Sequence, residues 1–238
     1  VRLQISPRLL GSDLATKHVH LKIMESSESA SGAVLTLLET AVSGFRIALG
    51  CRTWRHDAEV SSSSVQINLV PEHPVRLLRV ITLHTSRDSP DPGLAVKASL
   101  AEWSPGLVRR EVERHRECWQ SYWDVSDVRF PKRPELTEAQ RFNSFQIRVA
   151  ASEDPKTGIG ARALSGRAYE GHVFWDTEIF MFPFLLQMAP NLARSTLDYR
   201  YHTLDGARRR AESMGCLGAC YAWESTVTGN DVTPSRLL

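Results

Sequence analysis

The sequence predicts a multidomain α and β protein in which an antiparallel β-sandwich precedes a set of helices. Three observations carry this: short, punctuated strand patterns up to about residue 90, a turn-rich break at "SRDSPDPG", and helical spacing of apolar residues after it. In "KHVHLKI", Val19, Leu21 and Ile23 alternate with His18, His20 and Lys22, the period-two signature of a half-buried strand. "AVLTLLET", "FRIALGC", "SVQINLV" and "VRLLRVITLHT" follow, separated by Ser, Gly, Asp or Pro, as in a sandwich. The run Ser61 to Ser64 reads as a strand connection.

Past the break, Ser104-Pro105 predicts an N-cap followed by a proline in the first turn. Leu107, Val108, Val112, His115, Trp119, Tyr122 and Trp123 then trace an apolar stripe at helical spacing, with His115 expected as a hydrogen-bonded core residue. After "RFPKRPEL" a second helix is expected from Thr137, whose spacing to Gln140 fits a capping box. Residues 152 to about 174 read as a glycine-rich loop, and helices resume over Asp176–Ala189, Pro190–His202 and Leu204–Met214. Short helices with compact turns suggest a bundle or toroid rather than a parallel sheet. The expected divisions are a β-sandwich over 1–92, a helical linker over 93–135 and a helical domain over 136–238.

Composition excludes several classes. The 238 residues are 42% hydrophobic and 24% charged with a net charge of +2, which leaves no basic surface for nucleic acid or an anionic membrane. Arg208-Arg209-Arg210 follows a helical pattern and reads as a solvated face. The most apolar stretch, Ile179 to Ala189, is about half the length of a spanning helix and contains Pro183. "VRLQISPRLL" lacks a signal peptide's apolar core, so a cytoplasmic location is expected. Cys51, Cys118, Cys216 and Cys220 read as reduced thiols; Cys216 and Cys220 would share one side of a helix, without the further ligands zinc needs. His18 and His20 likewise lack a third ligand. Gly158, Gly160 and Gly166 are wrongly spaced for a dinucleotide fingerprint and follow a helix, not a strand. No metal and no organic cofactor are expected.

The densest chemistry lies in "GHVFWDTEIF", where a glycine- and aromatic-rich loop brings Trp175 and Asp176 to the start of a helix. An indole beside a carboxylate suits a sugar: the ring packs on the C–H face while the carboxylate accepts from neighbouring hydroxyls. The same residues also fit a plain account in which Asp176 caps the helix and Trp175 fills the core, and composition alone leans that way. Asp176 and Glu178, two apart, point to different sides of a helix and cannot together flank one glycosidic bond. Glu178 is expected to support the loop or the helix start, and His172 to order the loop. "YAWEST" repeats the aromatic–acid pairing at Trp223-Glu224.

From about residue 104 to Pro234 the chain resembles glycoside hydrolase family 65, the family of maltose, trehalose and kojibiose phosphorylases. The resemblance is carried by "GIGARALSGRAYEGHVFWDTEIFMFPFLL", "ARSTLDYRYHTLDGARRRAESMG" and "YAWESTVTGNDVTP", in order and correctly spaced. It implies an N-terminal sandwich, linker helices and the first helices of an (α/α)6 barrel, the last truncated, since "VTPSRLL" leaves the family pattern after Pro234. It implies an inverting phosphorylase that splits an α-glucosidic disaccharide with inorganic phosphate, as co-substrate, to give β-glucose 1-phosphate. Trp175 and Asp176 fall on the family's F-W-D stretch that holds the glucosyl unit, and Trp223 and Glu224 on a neighbouring stretch of the same pocket. No catalytic residue is expected in this chain, the general acid lying beyond Leu238, so no turnover is expected from it. The disaccharide and phosphate are the implied partners, and a homodimer is the common state of family phosphorylases. Two other readings stay open: a trehalase-like hydrolase of the same family, which needs a second acidic residue, and a non-catalytic sugar-binding or interaction module.

Overall fold

The computed structural model describes residues 2–5, 20–60, 64–165 and 168–234. It divides into two compact units, Val1–Glu117 and Cys118–Leu238. No helix among the described residues is long and apolar enough to cross a membrane.

The N-terminal unit is an antiparallel sheet backed by a helix. Strands β2 (Leu21–Glu28), β3 (Val34–Thr40), β4 (Arg46–Arg55) and β5 (Ala58–Glu59) pair in sequence order, and β7 (Leu77–Thr85) pairs along the whole of β4. A separate two-stranded ladder joins β1 (Arg2–Ile5) to β6 (Val65–Asn68). Helix α1 (Pro92–Glu102) starts where Asp91 accepts from the Leu94 N–H and Pro92 occupies the first turn. Its Val96 and Leu100 close on Leu35 and Ala48 of the sheet. That approach depends on Gly50, where a Cβ would lie 2.3 Å from Val96 and 2.6 Å from Leu100. Arg52 then fastens the end of α1: it pairs with Glu59 and donates to the Leu100 carbonyl at 2.9 Å.

Three strand-region expectations are settled by this sheet. "AVLTLLET" and "VRLLRVITLHT" fall on β3 and β7. The first strand does not follow the expected alternation: β2 begins at Leu21 and Ile23 is 58% exposed. The reason is its place at the sheet edge with one neighbour, together with a bulge between Ile23 and Glu25. His18, Val19 and most of the serine run lie outside the described residues. The sheet face away from α1 carries Ile81 and Leu83, both more than half exposed.

Helix α2 (Pro105–Ser126) starts as expected, with the Ser104 hydroxyl accepting from Leu107 N–H at 3.2 Å. Its stripe is only partly buried, and His115 is exposed rather than a core residue. The aromatic end explains the asymmetry. Trp119 packs against Tyr122, Trp123 and Phe145 of α3, while Val112 and His115 stay exposed. Helix α3 (Pro134–Ala150) begins a turn before Thr137, so the expected capping box is not formed. Pro134 at the first position sets the start, and the Thr137 hydroxyl instead accepts from the Phe130 N–H. Between α2 and α3, Arg141 and Arg129 both bind Asp127 and hold its carboxyl far below the usual carboxylate range.

The rest of the C-terminal unit follows the expected segments. A π-helical turn (Thr177–Met181) runs into α4 (Phe182–Met188), followed by α5 (Pro190–His202) and α6 (Leu204–Ser213). Its core gathers Ile159, Leu185, Leu192 and Ala193. Cys216 and Cys220 do not share a helix face, because Gly215 takes φ +71° and ends α6 before them. All four cysteines are free thiols.

Candidate functional site

The glycine-rich loop is drawn to the helices by its small residues. A Cβ at Gly158 would meet Val173 at 2.7 Å and Tyr199 at 3.0 Å, so the loop passes where only glycine fits. Buried Thr177 donates to the Ile159 carbonyl and ties the loop to the start of the π-helical turn. Gly166 lies outside the described residues. Tyr169 and Glu170 adopt left-handed backbone just ahead of Gly171, and the chain reverses there into a two-residue strand, β8 (Val173–Phe174). β8 pairs antiparallel with β9 (Glu224–Ser225), matching Val173 to Ser225 and Phe174 to Glu224. This ladder brings the two aromatic–acid motifs together from 48 positions apart (175 against 223).

The motif residues then part into two kinds. Trp175 is 43% exposed and Trp223 40%, while Glu224 is 4% exposed. The Trp175 indole N–H donates to the Ala222 carbonyl at 2.7 Å, which pins one edge of the ring next to Trp223. Trp223 stands edge-on to Phe174 at 5.1 Å. Asp176 is exposed; it sits at the helix start with αR backbone and makes no side-chain capping bond. Its carboxylate has no hydrogen-bond or ionic partner among the described residues and is free to accept from a ligand. Glu224 is turned inward, where its Oε1 accepts from His172 Nδ1–H at 2.7 Å. His172 thus orders the loop, as expected, through a carboxylate 52 residues away.

Glu178 also supports the loop, through a partner that no local pattern announced. Arg200 of α5, 8% exposed, donates from Nε to Glu178 Oε1 at 2.8 Å and from Nη2 to Oε2 at 2.7 Å. The same Nη2 reaches the Phe174 carbonyl at 3.0 Å, and Nη1 the Ser225 hydroxyl at 3.4 Å. Its own carbonyl accepts from the Tyr221 hydroxyl at 2.9 Å, and the rings of Tyr199 and Tyr221 flank the guanidinium. Burial pushes the Tyr199 hydroxyl above its ordinary pKa, and that hydroxyl donates to the Thr226 carbonyl at 2.8 Å. Spacing could not have found Arg200, because the groups its guanidinium hydrogen-bonds, Glu178, Phe174 and Ser225, are at least 22 residues away.

The basic run is spent on neighbours. Arg208 pairs with Asp205, Arg209 with Asn230, and Arg210 with Asp231 and the Cys220 sulfur. Among the described residues no group of three or more His, Cys, Asp or Glu could hold a metal ion.

Comparison with known proteins agrees with this layout. Residues 6–122 match the glycosyl hydrolase family 65 N-terminal domain, and residues 141–237 match the family's central catalytic domain. Kojibiose phosphorylase of Thermoanaerobacter brockii is 33% identical, over 97% of this chain and 33% of its own length. Nigerose phosphorylase of Lachnoclostridium phytofermentans is 36% identical over 66% of the chain and 21% of its own, and the α,α-trehalose phosphorylase of T. brockii 37% over 63% and 20%. A solved structure titled a putative kojibiose phosphorylase from human microbiome superposes with a TM-score of 0.74 at 19% identity, covering 97% of this chain and 31% of that one. The fold is therefore shared, and the chain spans about a third of the length of the relatives it matches along its whole extent. With two successive family domains matched and the "FWD" and "YAWES" stretches joined in one ladder, the chain belongs to glycosyl hydrolase family 65.

Proposed function

We propose that this chain carries the sugar-holding part of an inverting disaccharide phosphorylase, which splits an α-glucoside with inorganic phosphate to give β-glucose 1-phosphate. The observation that carries the reading is the Trp175–Asp176 pair: an exposed indole fixed by its N–H, next to an exposed carboxylate with no partner among the described residues. A glucose ring can pack on the first and donate its hydroxyls to the second. The phosphorylase names of several relatives support phosphate rather than water as the attacking group. In such a reaction one carboxylic acid protonates the leaving oxygen while phosphate enters from the opposite face. Trp175 and Asp176 orient the glucosyl unit, and neither is given the proton transfer. Trp223 adds a second wall, and Glu224 acts through His172. Four free thiols suit a reducing, cytoplasmic compartment.

Kojibiose, trehalose and maltose should each be titrated against the purified chain. Asp176→Ala is expected to weaken glucoside affinity roughly ten- to a hundredfold, the worth of charge-assisted hydrogen bonds. Trp175→Ala should act comparably, and the chain alone should release no glucose 1-phosphate. Binding that survives both substitutions would favour a sugar-binding module elsewhere on the chain, and measurable phosphorolysis would show that a residue of this chain donates the proton.

In this reading the N-terminal sheet is one layer of a sandwich and α3 to α6 are the first helices of an (α/α)6 barrel. The apolar surface left open on the C-terminal unit, with Phe180 72%, Ile179 58% and Leu186 53% exposed, fits a helix-packing face. Sedimentation velocity should therefore show concentration-dependent association. Replacing Phe180 and Leu186 with serine should abolish it, and a monomer at all concentrations would count against a helix-packing face there.

A further inference from the structure

Arg200 contacts both motif-bearing segments at once, and it does so on either side of the residues that matter. On the first segment its guanidinium holds the Phe174 carbonyl and the Glu178 carboxylate, which bracket Trp175 and Asp176. The backbone between them is closed further by Glu178 and Ile179 N–H groups donating to the Trp175 carbonyl. On the second segment it holds Ser225 by its Nη1 and Tyr221 by its own carbonyl, which bracket Ala222, Trp223 and Glu224. Ala222 is the residue whose carbonyl pins the Trp175 ring. Neither segment can turn without breaking a charge-assisted bond to one buried, planar fork.

We infer that Arg200 is the positioning residue of the sugar site, setting the separation between the Trp175–Asp176 turn and the Trp223–Glu224 strand. The inference rests on the sugar-holding role proposed above. It assigns no contact with substrate to Arg200, which is buried behind both segments. Lysine cannot replace it: an ammonium can satisfy Glu178 but has no planar fork to reach the Phe174 carbonyl and Ser225 together.

The test uses the whole chain labelled with 5-fluorotryptophan, whose six tryptophans give six fluorine resonances, assigned by single Trp→Phe substitutions. In Arg200→Lys the Trp175 and Trp223 lines should shift and broaden, while those of Trp54 and Trp103 in the N-terminal unit stay in place. Glucoside affinity should fall about tenfold, the loss of one well-made hydrogen bond. In Arg200→Ala, millimolar guanidinium, but not urea, should restore both lines and the affinity by refilling the vacated fork. Unchanged Trp175 and Trp223 lines in Arg200→Lys would overturn the inference, as would movement of all six lines together, which marks a general loss of structure. If the unsubstituted chain binds no glucoside, the proposed function fails, while the fluorine lines still decide what Arg200 does.

Discussion

Glu178→Ala is expected to destabilise the C-terminal unit by about 2–4 kcal/mol in urea unfolding, because it strands the Arg200 cation inside the fold. The pair's side chains are 10% and 24% exposed, so neither charge is well hydrated. Removal of the acid takes away both short guanidinium contacts, at 2.7 and 2.8 Å, and returns only a hole beside the π-helical turn. Arg200→Met should cost less on the ionic account, since Glu178 keeps some access to water, although the Phe174 carbonyl loses its donor. The double variant Glu178→Leu with Arg200→Met should recover much of the stability, as apolar replacements of buried pairs commonly do. It should not recover glucoside binding, because nothing then spans the two motif segments. A stable Glu178→Ala would mean that water reaches the guanidinium and that the pair does little for the fold.

What the sequence announced and what it concealed divide along contact range. Strands β3, β4 and β7 were legible because each is bounded by its own turn residues. The start of α2 was legible because Ser104-Pro105 is a complete local signal, whereas the Asp91-Pro92 start of α1 lies inside a stretch read only as a turn-rich break. The start of α3 was misplaced where two local signals compete: Pro134 fixes the helical φ a turn before Thr137 can cap it. The expected helix face shared by Cys216 and Cys220 failed for a related reason, since a spacing of four means one side only if the helix continues, and Gly215 ends it. His115 was read as core from periodicity alone. Periodicity names a stripe but cannot say which turns of it receive cover.

The candidate site shows the same division more sharply. The "FWD" stretch could be singled out as chemistry from its residues. That Asp176 makes no capping bond and that Trp175 stays partly exposed could not, because both depend on what the rest of the fold leaves unfilled. The β8–β9 ladder is two residues long on each side, too short to leave a pattern, and its partners are about fifty residues apart. Arg200 and the inward turn of Glu224 onto His172 follow from that ladder, so they were hidden with it.

Gly229→Ala should be the most damaging single methyl in the second motif, and a matched control shows why. Gly229 has φ +70°, and a Cβ there would lie 2.5 Å from the Thr203 carbonyl oxygen and 2.6 Å from the Thr203 Cβ. Across the same contact, a Cβ on Gly206 would meet Gly229 backbone at 2.5 Å, so the "TVTGN" loop lies on the α5–α6 junction backbone to backbone. Gly218 has a similar φ of +87° but nothing within 4 Å of its Cβ position. Gly218→Ala therefore reads the left-handed strain alone, about 1–2 kcal/mol. Gly229→Ala adds overlap with main chain that cannot swing aside, for a total of about 2–5 kcal/mol. The loop also carries the Thr226 carbonyl that receives the buried Tyr199 hydroxyl, directly after β9. Lifting it should loosen Glu224 from His172, so glucoside affinity should fall along with stability in Gly229→Ala and remain intact in Gly218→Ala. Equal unfolding midpoints for the two variants would show that the loop does not rest on Thr203, and the route by which α5 and α6 hold the second motif in place would have to be sought elsewhere.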